Sequence, residues 1–139
     1  FVILRFFNIY GIGQSKEYAG VITKFLEKIK KNENLEIFGD GLQTRDFVSI
    51  DDIIYSISKA IEHTGNGIFN IGSGEKITIK ELAELMISLS NKKLKIEYLN
   101  EKKGDIKYSE ADIQLAKTKL NYACKKELKY GIQQFLNFN

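Results

Sequence analysis

The sequence predicts one domain of the α/β class over residues 1–139. The composition is globular, with 43% apolar and 28% charged residues in 139. Short apolar runs alternate with helical patterns along the chain, as in folds that layer helices on a sheet. The first run, "FVILRFFN", is almost continuously apolar, which is typical of a strand buried on both faces of a parallel sheet.

Phe1–Asn8 is expected to form that buried strand, with Arg5 in its interior. A helix is then predicted from about Glu17 to Lys31. Its apolar residues fall on one face at 3.6-residue spacing, namely Val21, Ile22, Phe25, Leu26 and Ile29. "NLEIFGDG" predicts a short strand that ends in a glycine turn, and "RDFVS" predicts another strand.

A second helix should begin at Ser49, because Ser49 with Asp52 three residues later resembles a capping box. It is predicted to run to about Glu62 with one buried stripe, formed by Ile53, Ile54, Ile57 and Ile61. The stretch "GIFNIGSG" that follows predicts a short strand closed by a Gly-Ser-Gly turn.

The third helix has the clearest start, since Thr78 and Glu81 form a capping box. Apolar residues occupy its staple positions and its buried stripe, namely Ile77, Leu82, Leu85, Met86 and Leu89. "KLKIEYL" alternates apolar and charged residues, as a half-exposed strand does. Two further helices are predicted near Ala111–Leu120 and Leu128–Phe138.

Charge and cysteine content restrict the class of protein. The net charge of +3 comes from 21 basic and 18 acidic residues spread along the chain, which argues against nucleic-acid binding. No long apolar run predicts a membrane span, and the single cysteine fits a reducing, cytoplasmic setting. The chain also starts inside an apolar strand without methionine, so we expect a piece of a longer protein.

Familiar catalytic motifs are missing or uninformative. "GIGQSK" has Lys16 where a dinucleotide fingerprint needs its third glycine, and no metal-ligand cluster is present. Three Tyr-x-x-x-Lys pairs occur, beginning at Tyr55, Tyr98 and Tyr122, but none follows a strand-turn-helix cofactor site. His63 has no nucleophile near it in sequence and is interpreted as structural. We expect no catalytic residue in this chain.

Polar groups at strand ends are the candidate ligand contacts, because open α/β sheets bind ligands there. They are Asn8, Arg45 and Asn70. The alternative for the two asparagines is an amide that ties neighbouring turns together, and for Arg45 a salt bridge to Asp46 or Asp40. Arg45 is one of two arginines beside nineteen lysines, which favours a site that needs the planar guanidinium fork.

Four stretches carry a family resemblance: "LRFFNIYGIGQ", "IFGDGLQTRDFVSIDDI", "FNIGSGEKITIKEL" and "GDIKYSEADIQLAKTKLNY". In order and spacing they resemble the C-terminal part of the extended short-chain dehydrogenase/reductases. Within that fold they are most similar to NAD-dependent nucleotide-sugar epimerases and dehydratases of the UDP-glucose 4-epimerase type. The resemblance implies a substrate-binding region whose residues 1–8 and 68–71 are late strands of a Rossmann sheet. It also implies that an N-terminal domain absent from this chain holds most of the NAD and the catalytic Tyr and Lys.

Four side chains match family positions that bind the phosphates and ribose. Asn8 matches the asparagine of R-x-F-N, and Arg45 the arginine of T-R-D-F, both of which contact the diphosphate in the family. Asp105 matches the G-D aspartate that contacts the ribose. Lys102 stands where an arginine usually precedes that pair, so a bidentate clamp becomes a single-point contact.

Four other positions match family positions whose contact with the ligand depends less on the identity of the side chain. Phe7 matches a residue beside the nicotinamide. Glu36 and Phe38 match the strand whose backbone holds the nucleotide base, so the resemblance gives their side chains little importance. Ala19 matches a position that lines the nucleotide.

The resemblance implies binding of a UDP- or dTDP-sugar for NAD-dependent epimerisation or dehydration through a 4-keto intermediate. This chain alone is expected to be inactive, and the intact enzyme can be a homodimer. The alternative is a non-catalytic ligand-binding or interaction module of the same fold. Upstream glycine-fingerprint and Tyr-x-x-x-Lys motifs would favour the enzyme.

Overall fold

The computed structural model describes residues 1–14 and 20–137. Strands and helices alternate along these ranges. The strands are β1 (Val2–Phe6), β2 (Asn8–Tyr10), β3 (Leu35–Phe38), β4 (Thr44–Arg45), β5 (Phe47–Ser49), β6 (Gly67–Ile71), β7 (Ile77–Thr78) and β8 (Ile96–Leu99). The helices are α1 (Val21–Lys31), α2 (Ile50–Glu62), α3 (Ile79–Ser90), α4 (Gln114–Leu120) and α5 (Leu128–Asn137).

The described strands pair two by two, and most pairs are parallel. β1 pairs with β6, β2 with β5, and β3 with β8, each in parallel, whereas the short β4 and β7 pair antiparallel. Parallel partners need a crossover between them, and helices lie between the members of each of these three pairs in sequence. The α/β class predicted from the sequence is therefore confirmed.

The first predicted strand is interrupted at Phe7, where the chain changes partners. The amide of Phe7 donates to the carbonyl oxygen of Ile71 at 2.9 Å, on the β6 side. The next amide, of Asn8, donates to the carbonyl oxygen of Asp46 at 3.1 Å, beside β5. Asn8 consequently lies where the chain leaves β6 and joins β5.

The prediction that this strand is buried on both faces is wrong for the described chain. Ile3 is 46% exposed, Phe6 is 41% exposed, and Arg5 is also exposed. Only one face of β1 is covered, where Val2 and Leu4 pack against a hydrophobic cluster. The physical reason is that the described residues pack on one face of the β1–β6 pair and leave its other face uncovered.

Two hydrophobic clusters form the core. The first packs α1 and α3 against β3 and α5 against α3 and β5, and it contains the predicted stripes of α1 and α3. The second lies under β5 and β6 and includes Val48, Phe69 and Tyr122. The predicted capping box of α3 is confirmed, because the hydroxyl of Thr78 accepts from the amide of Glu81 and the Glu81 carboxylate accepts from the amide of Thr78.

The predicted start of α2 is confirmed, but its predicted stripe is wrong. Ser49 is the N-cap and accepts from the amide of Asp52 at 3.1 Å. The buried face contains Asp52, Ile53 and Ser56, because the Asp52 carboxylate accepts from the backbone amides of Lys125 and Lys126 and holds the helix in that rotation. The remaining isoleucines point outward, with exposures of 61% for Ile54, 41% for Ile57 and 81% for Ile61.

Within residues 1–14 and 20–137, the helices are all too short or too polar to span a lipid bilayer.

Candidate functional site

A cleft of about 630 Å³ lies between α1, β3 and the segment that follows β8. This volume is within the range of small-molecule sites, which is roughly 300–1,000 Å³. Residues of β2, β4 and α3 complete the described walls, including Asn8, Arg45 and Ile79. The cleft therefore opens where several strands end, as ligand sites do in α/β folds.

The parallel pairing of β3 with β8 brings two parts of this wall together. Leu35 and Ile37 are buried, so the alternate side chains Glu36 and Phe38 face the cleft. Phe38 is in register with Leu99, and the chain that continues from there places the ammonium of Lys102 3.9 Å from the centroid of the Phe38 ring. A cation at that distance is attracted to the ring face.

Arg45 forms an ion pair with Asp105 across the cleft wall. Its Nη2 lies 2.5 Å from Oδ1 of Asp105, and the two side chains are 15% and 34% exposed. Its Nη1 donates to the carbonyl oxygens of Thr44 and Ile106. The partner proposed from sequence, Asp46 or Asp40, is therefore wrong. The guanidinium instead ties the segment after β8 to β4.

Asp46 is fully buried next to the cleft wall and accepts hydrogen bonds from several segments of the chain. Its carboxylate accepts from the amide and hydroxyl of Ser73, at 2.7 and 2.8 Å, and from the amides of Gly74 and Ala111, at 2.9 and 3.1 Å. Its carbonyl oxygen accepts from Nδ2 of Asn8 at 2.8 Å. Sequence reasoning missed this residue, although an aspartate within an apolar strand and a Gly-Ser-Gly turn were both visible.

A second ion pair lies within the cleft. Nζ of Lys28 on α1 is 2.7 Å from Oε1 of Glu36 on β3 and 3.7 Å from Oε2 of Glu33. The hydrogen bond to Glu36 is the main cause of a raised pKa of the Lys28 ammonium. All three side chains line the cleft. The resemblance assigned Glu36 to the nucleotide base through its backbone, and no sequence pattern singled out Lys28 or Glu33.

The cleft brings together most of the residues proposed from sequence, namely Asn8, Glu36, Phe38, Arg45, Lys102 and Asp105. Phe7 is not among the lining residues, and its ring packs against the second hydrophobic cluster. Ala19 lies outside the described residues. Asn70 donates to the carbonyl oxygen of Asp112 at 3.2 Å, so the alternative that it ties neighbouring segments together is confirmed.

The chemistry of these walls suits an anionic ligand. Arg45, Lys102 and Lys103 are all among the residues that line the cleft, and arginine and lysine are the usual partners of phosphate oxygens. No cysteine, serine or histidine is among the described residues that line the cleft. The cationic side chains of the described wall can bind and orient an anionic ligand.

Comparison with known proteins finds one family and several close relatives. The model of the NAD dependent epimerase/dehydratase family matches residues 1–72. The UDP-glucuronate 4-epimerase of Thermodesulfobacterium geofontis is 35% identical over 138 residues, which are 99% of this chain and 42% of that protein.

Solved structures agree in fold. The UDP-glucose 4-epimerase of Thermotoga maritima, crystallised with UDP-glucose, matches with a TM-score of 0.94 and 33% identity over 99% of this chain and 45% of its own. The UDP-glucuronic acid 4-epimerase of Bacillus cereus, solved with UDP-glucuronic acid and NAD, matches with a TM-score of 0.86 and 33% identity. The match covers 95% of this chain and 42% of that protein. The chain thus spans less than half the length of these relatives.

Proposed function

Because residues 1–72 match its family model, the chain belongs to the NAD-dependent epimerase/dehydratase family, and we propose that its cleft binds a nucleotide-diphosphate sugar. The observation that carries the proposal is the position of Arg45, which is held by Asp105 and two backbone carbonyls at the wall of the cleft. A guanidinium fixed in this way can offer two N–H groups to a diphosphate. Two solved relatives contain UDP-glucose and UDP-glucuronic acid, which supports a UDP-sugar.

Each wall of the cleft has a role in this proposal. Arg45 and Lys102 bind the diphosphate together with the amide of Asn8, which the backbone of Asp46 orients. Asp105 accepts a hydrogen bond from the ribose while it also holds Arg45, so the ribose and phosphate contacts are mechanically coupled. The base lies along β3, beside Glu36 and Phe38.

We propose that the intact protein uses this site for NAD-dependent epimerisation or dehydration through a 4-keto sugar. NAD, when bound, would accept and return the hydride. Phe7 is the one residue of this chain that the resemblance places beside NAD, and the chain spans less than half the length of its relatives. We therefore propose that NAD is held mainly by polypeptide beyond this chain. The cytoplasmic location inferred from the single cysteine stays a prediction.

The proposal has a non-catalytic rival, a binding module that keeps the fold without the reaction. A glycine fingerprint and a Tyr-x-x-x-Lys pair elsewhere in the intact protein would favour the enzyme. Both versions predict that the 139-residue chain alone binds sugar nucleotides without converting them.

Arg45→Lys tests the site directly. This change keeps the positive charge but removes the planar fork, so we expect weaker binding of UDP-glucose by about 1.5–3 kcal/mol, the scale of a charge-assisted hydrogen bond. That loss corresponds to a roughly ten- to hundredfold higher Kd by calorimetry.

The matched control is Arg5→Lys, because Arg5 is the other arginine and is exposed on β1. It should bind UDP-glucose as the wild type does. Wild-type affinity in Arg45→Lys, with an unchanged fold, would remove Arg45 from the binding site.

A further inference from the structure

Thr44 precedes Arg45 on β4 but is not among the described residues that line the cleft. It is buried, with 8% of the residue exposed. A buried strand position of this kind suits valine, which has nearly the same shape, unless the threonine hydroxyl has a hydrogen-bond partner. The hydroxyl of Thr44 has one, because it accepts from the amide of Ser109 at 3.3 Å.

The backbone of Thr44 contacts the same part of the chain. Its amide donates to the carbonyl oxygen of Lys107 at 2.8 Å. Thr44 therefore holds residues 107–109 at two points, once through its backbone and once through its side chain. These residues belong to no helix or strand of the described chain, so their position depends on such contacts with neighbouring elements.

The residues just before this attachment are the partners of the Arg45 guanidinium. Oδ1 of Asp105 lies 2.5 Å from Nη2 of Arg45, and the carbonyl oxygen of Ile106 accepts from Nη1. Asp105 is only two residues from Lys107, which limits their separation to about 7 Å of extended chain. Attaching Lys107 to Thr44 consequently keeps Asp105 within reach of Arg45.

The attachment continues on the other side of Thr44's contact. The carboxylate of Asp46 accepts from the amide of Ala111 at 3.1 Å. Three consecutive residues of the chain, 44–46, thus contact successive points of the segment from Asp105 to Ala111. Of the two that do not line the cleft, Thr44 contacts the segment closer in sequence to Asp105.

We propose that Thr44 is a positioning residue whose hydroxyl holds residues 107–109 so that Asp105 meets both Arg45 and the ligand. The inference rests on the proposed function, in which Asp105 accepts from the ribose and Arg45 binds the diphosphate. Thr44 does not touch the ligand and acts through Asp105. Loss of the hydroxyl removes the acceptor of the Ser109 amide and releases the segment at that point.

Calorimetry with UDP-glucose on the 139-residue chain tests this role in two variants. Thr44→Val removes the hydroxyl with little change of shape, whereas Thr44→Ser keeps it. We expect a roughly three- to tenfold higher Kd for Thr44→Val, the scale of one neutral hydrogen bond, and a Kd within about twofold of the wild type for Thr44→Ser.

The matched control is Thr118→Val. The hydroxyl of Thr118 also bonds to the backbone, donating to the carbonyl oxygen of Gln114 at 3.0 Å, but Thr118 is exposed on α4 and is not among the described residues that line the cleft. This variant should bind UDP-glucose with the wild-type Kd.

A double-mutant cycle with Asp105→Ala separates positioning from a merely structural effect. If Thr44 acts through Asp105, adding Thr44→Val to Asp105→Ala should change the Kd by less than about twofold. Equal fold-changes with and without the Asp105 carboxylate would overturn the inference. A Thr44→Val variant that unfolds at lower urea concentration yet binds UDP-glucose with the wild-type Kd would also overturn it.

The same measurements distinguish this inference from the proposed function. Wild-type binding of UDP-glucose with an unchanged Kd in Thr44→Val would overturn the positioning role and leave nucleotide-sugar binding intact. Failure of the wild-type chain to bind UDP-glucose would overturn the proposed function, and the positioning role with it.

Discussion

Asp46 is a buried residue whose hydrogen bonds connect the cleft wall at Asn8 to the core at Ala111. Its buried carboxylate accepts from the backbone amides of Ser73, Gly74 and Ala111, while its carbonyl oxygen accepts from Nδ2 of Asn8. The strand positions on either side of it, Arg45 and Phe47, face the cleft. The strand predicted from "RDFVS" is therefore divided at Asp46 into β4, which pairs with β7, and β5, which pairs with β2.

Asp46→Asn should lower the free energy of unfolding. An amide cannot accept all the hydrogen bonds that the carboxylate accepts, and one hydrogen bond to a charged group contributes about 1.5–3 kcal/mol. Urea unfolding followed by circular dichroism measures the change. The exposed aspartate of the glycine turn, in Asp40→Asn, should change stability by less than about 0.5 kcal/mol. Equal effects of the two variants would contradict the role given to Asp46.

The sequence indicated which residues belong to the site, but it did not indicate which of them contact each other. The resemblance identified Arg45 and Asp105 separately, but their 2.5 Å contact spans sixty positions and depends on the β3–β8 pairing. The same holds for Lys28 and Glu36, whose contact depends on how α1 packs on β3. Local patterns do not specify such packing.

Among the elements, α3 begins with a capping interaction whose contribution to stability depends on pH. The amide and hydroxyl of Thr78 both donate to the Glu81 carboxylate, the amide contact being the main cause, and they lower the pKa of that carboxyl. A lowered pKa in the folded state stabilises the fold above the unfolded-state pKa of about 4.3, and this stabilisation is lost as the pH falls through the folded-state pKa.

Glu81→Gln should therefore be less stable than the wild type at pH 6, and the difference should disappear toward pH 3. Unfolding free energies at several pH values measure it, with Glu84→Gln on the same helix as the control. Thr78→Ala should cost about 1 kcal/mol at neutral pH, the usual contribution of an N-cap. A Glu81→Gln difference that does not decrease between pH 6 and pH 3 would contradict the capping interpretation.

Two adjacent isoleucines of α2 test which face of this helix is buried. Ile53 is 3% exposed within the second hydrophobic cluster, whereas Ile54 is 61% exposed. Ile53→Ala should cost about 2–5 kcal/mol by cavity formation, while Ile54→Ala should stay within about 0.5 kcal/mol. Thermal or urea unfolding compares them. A larger loss for Ile54→Ala would restore the stripe predicted from the sequence.

Helices were predicted better than strands for a physical reason. Their caps and apolar faces are local, so the starts of α2 and α3 and the buried face of α1 could be read from a few residues. The isoleucine spacing of α2 was misleading because distant amides at Lys125 and Lys126 fix its rotation. The strand breaks at Phe7 and Asp46 likewise depend on pairing with strands that are distant in sequence.

At the scale of the whole molecule, the cleft is formed by elements that are far apart in sequence. β2 and β5 supply one wall, β3 and the segment after β8 another, and α1 closes the side. The two hydrophobic clusters keep these elements in place. The sequence could predict the α/β class and six of the residues that line the cleft, but not the ion pairs that arrange them.

Amide NMR of the 139-residue chain, titrated with UDP-glucose, tests most directly whether this cleft binds a nucleotide sugar. The account predicts saturable shifts at Phe38, Arg45, Gly104 and Asp105, with the exposed end of α2 at Ile61 unchanged. No shift at millimolar UDP-glucose, or shifts confined to α2 and the outer face of β1, would contradict it.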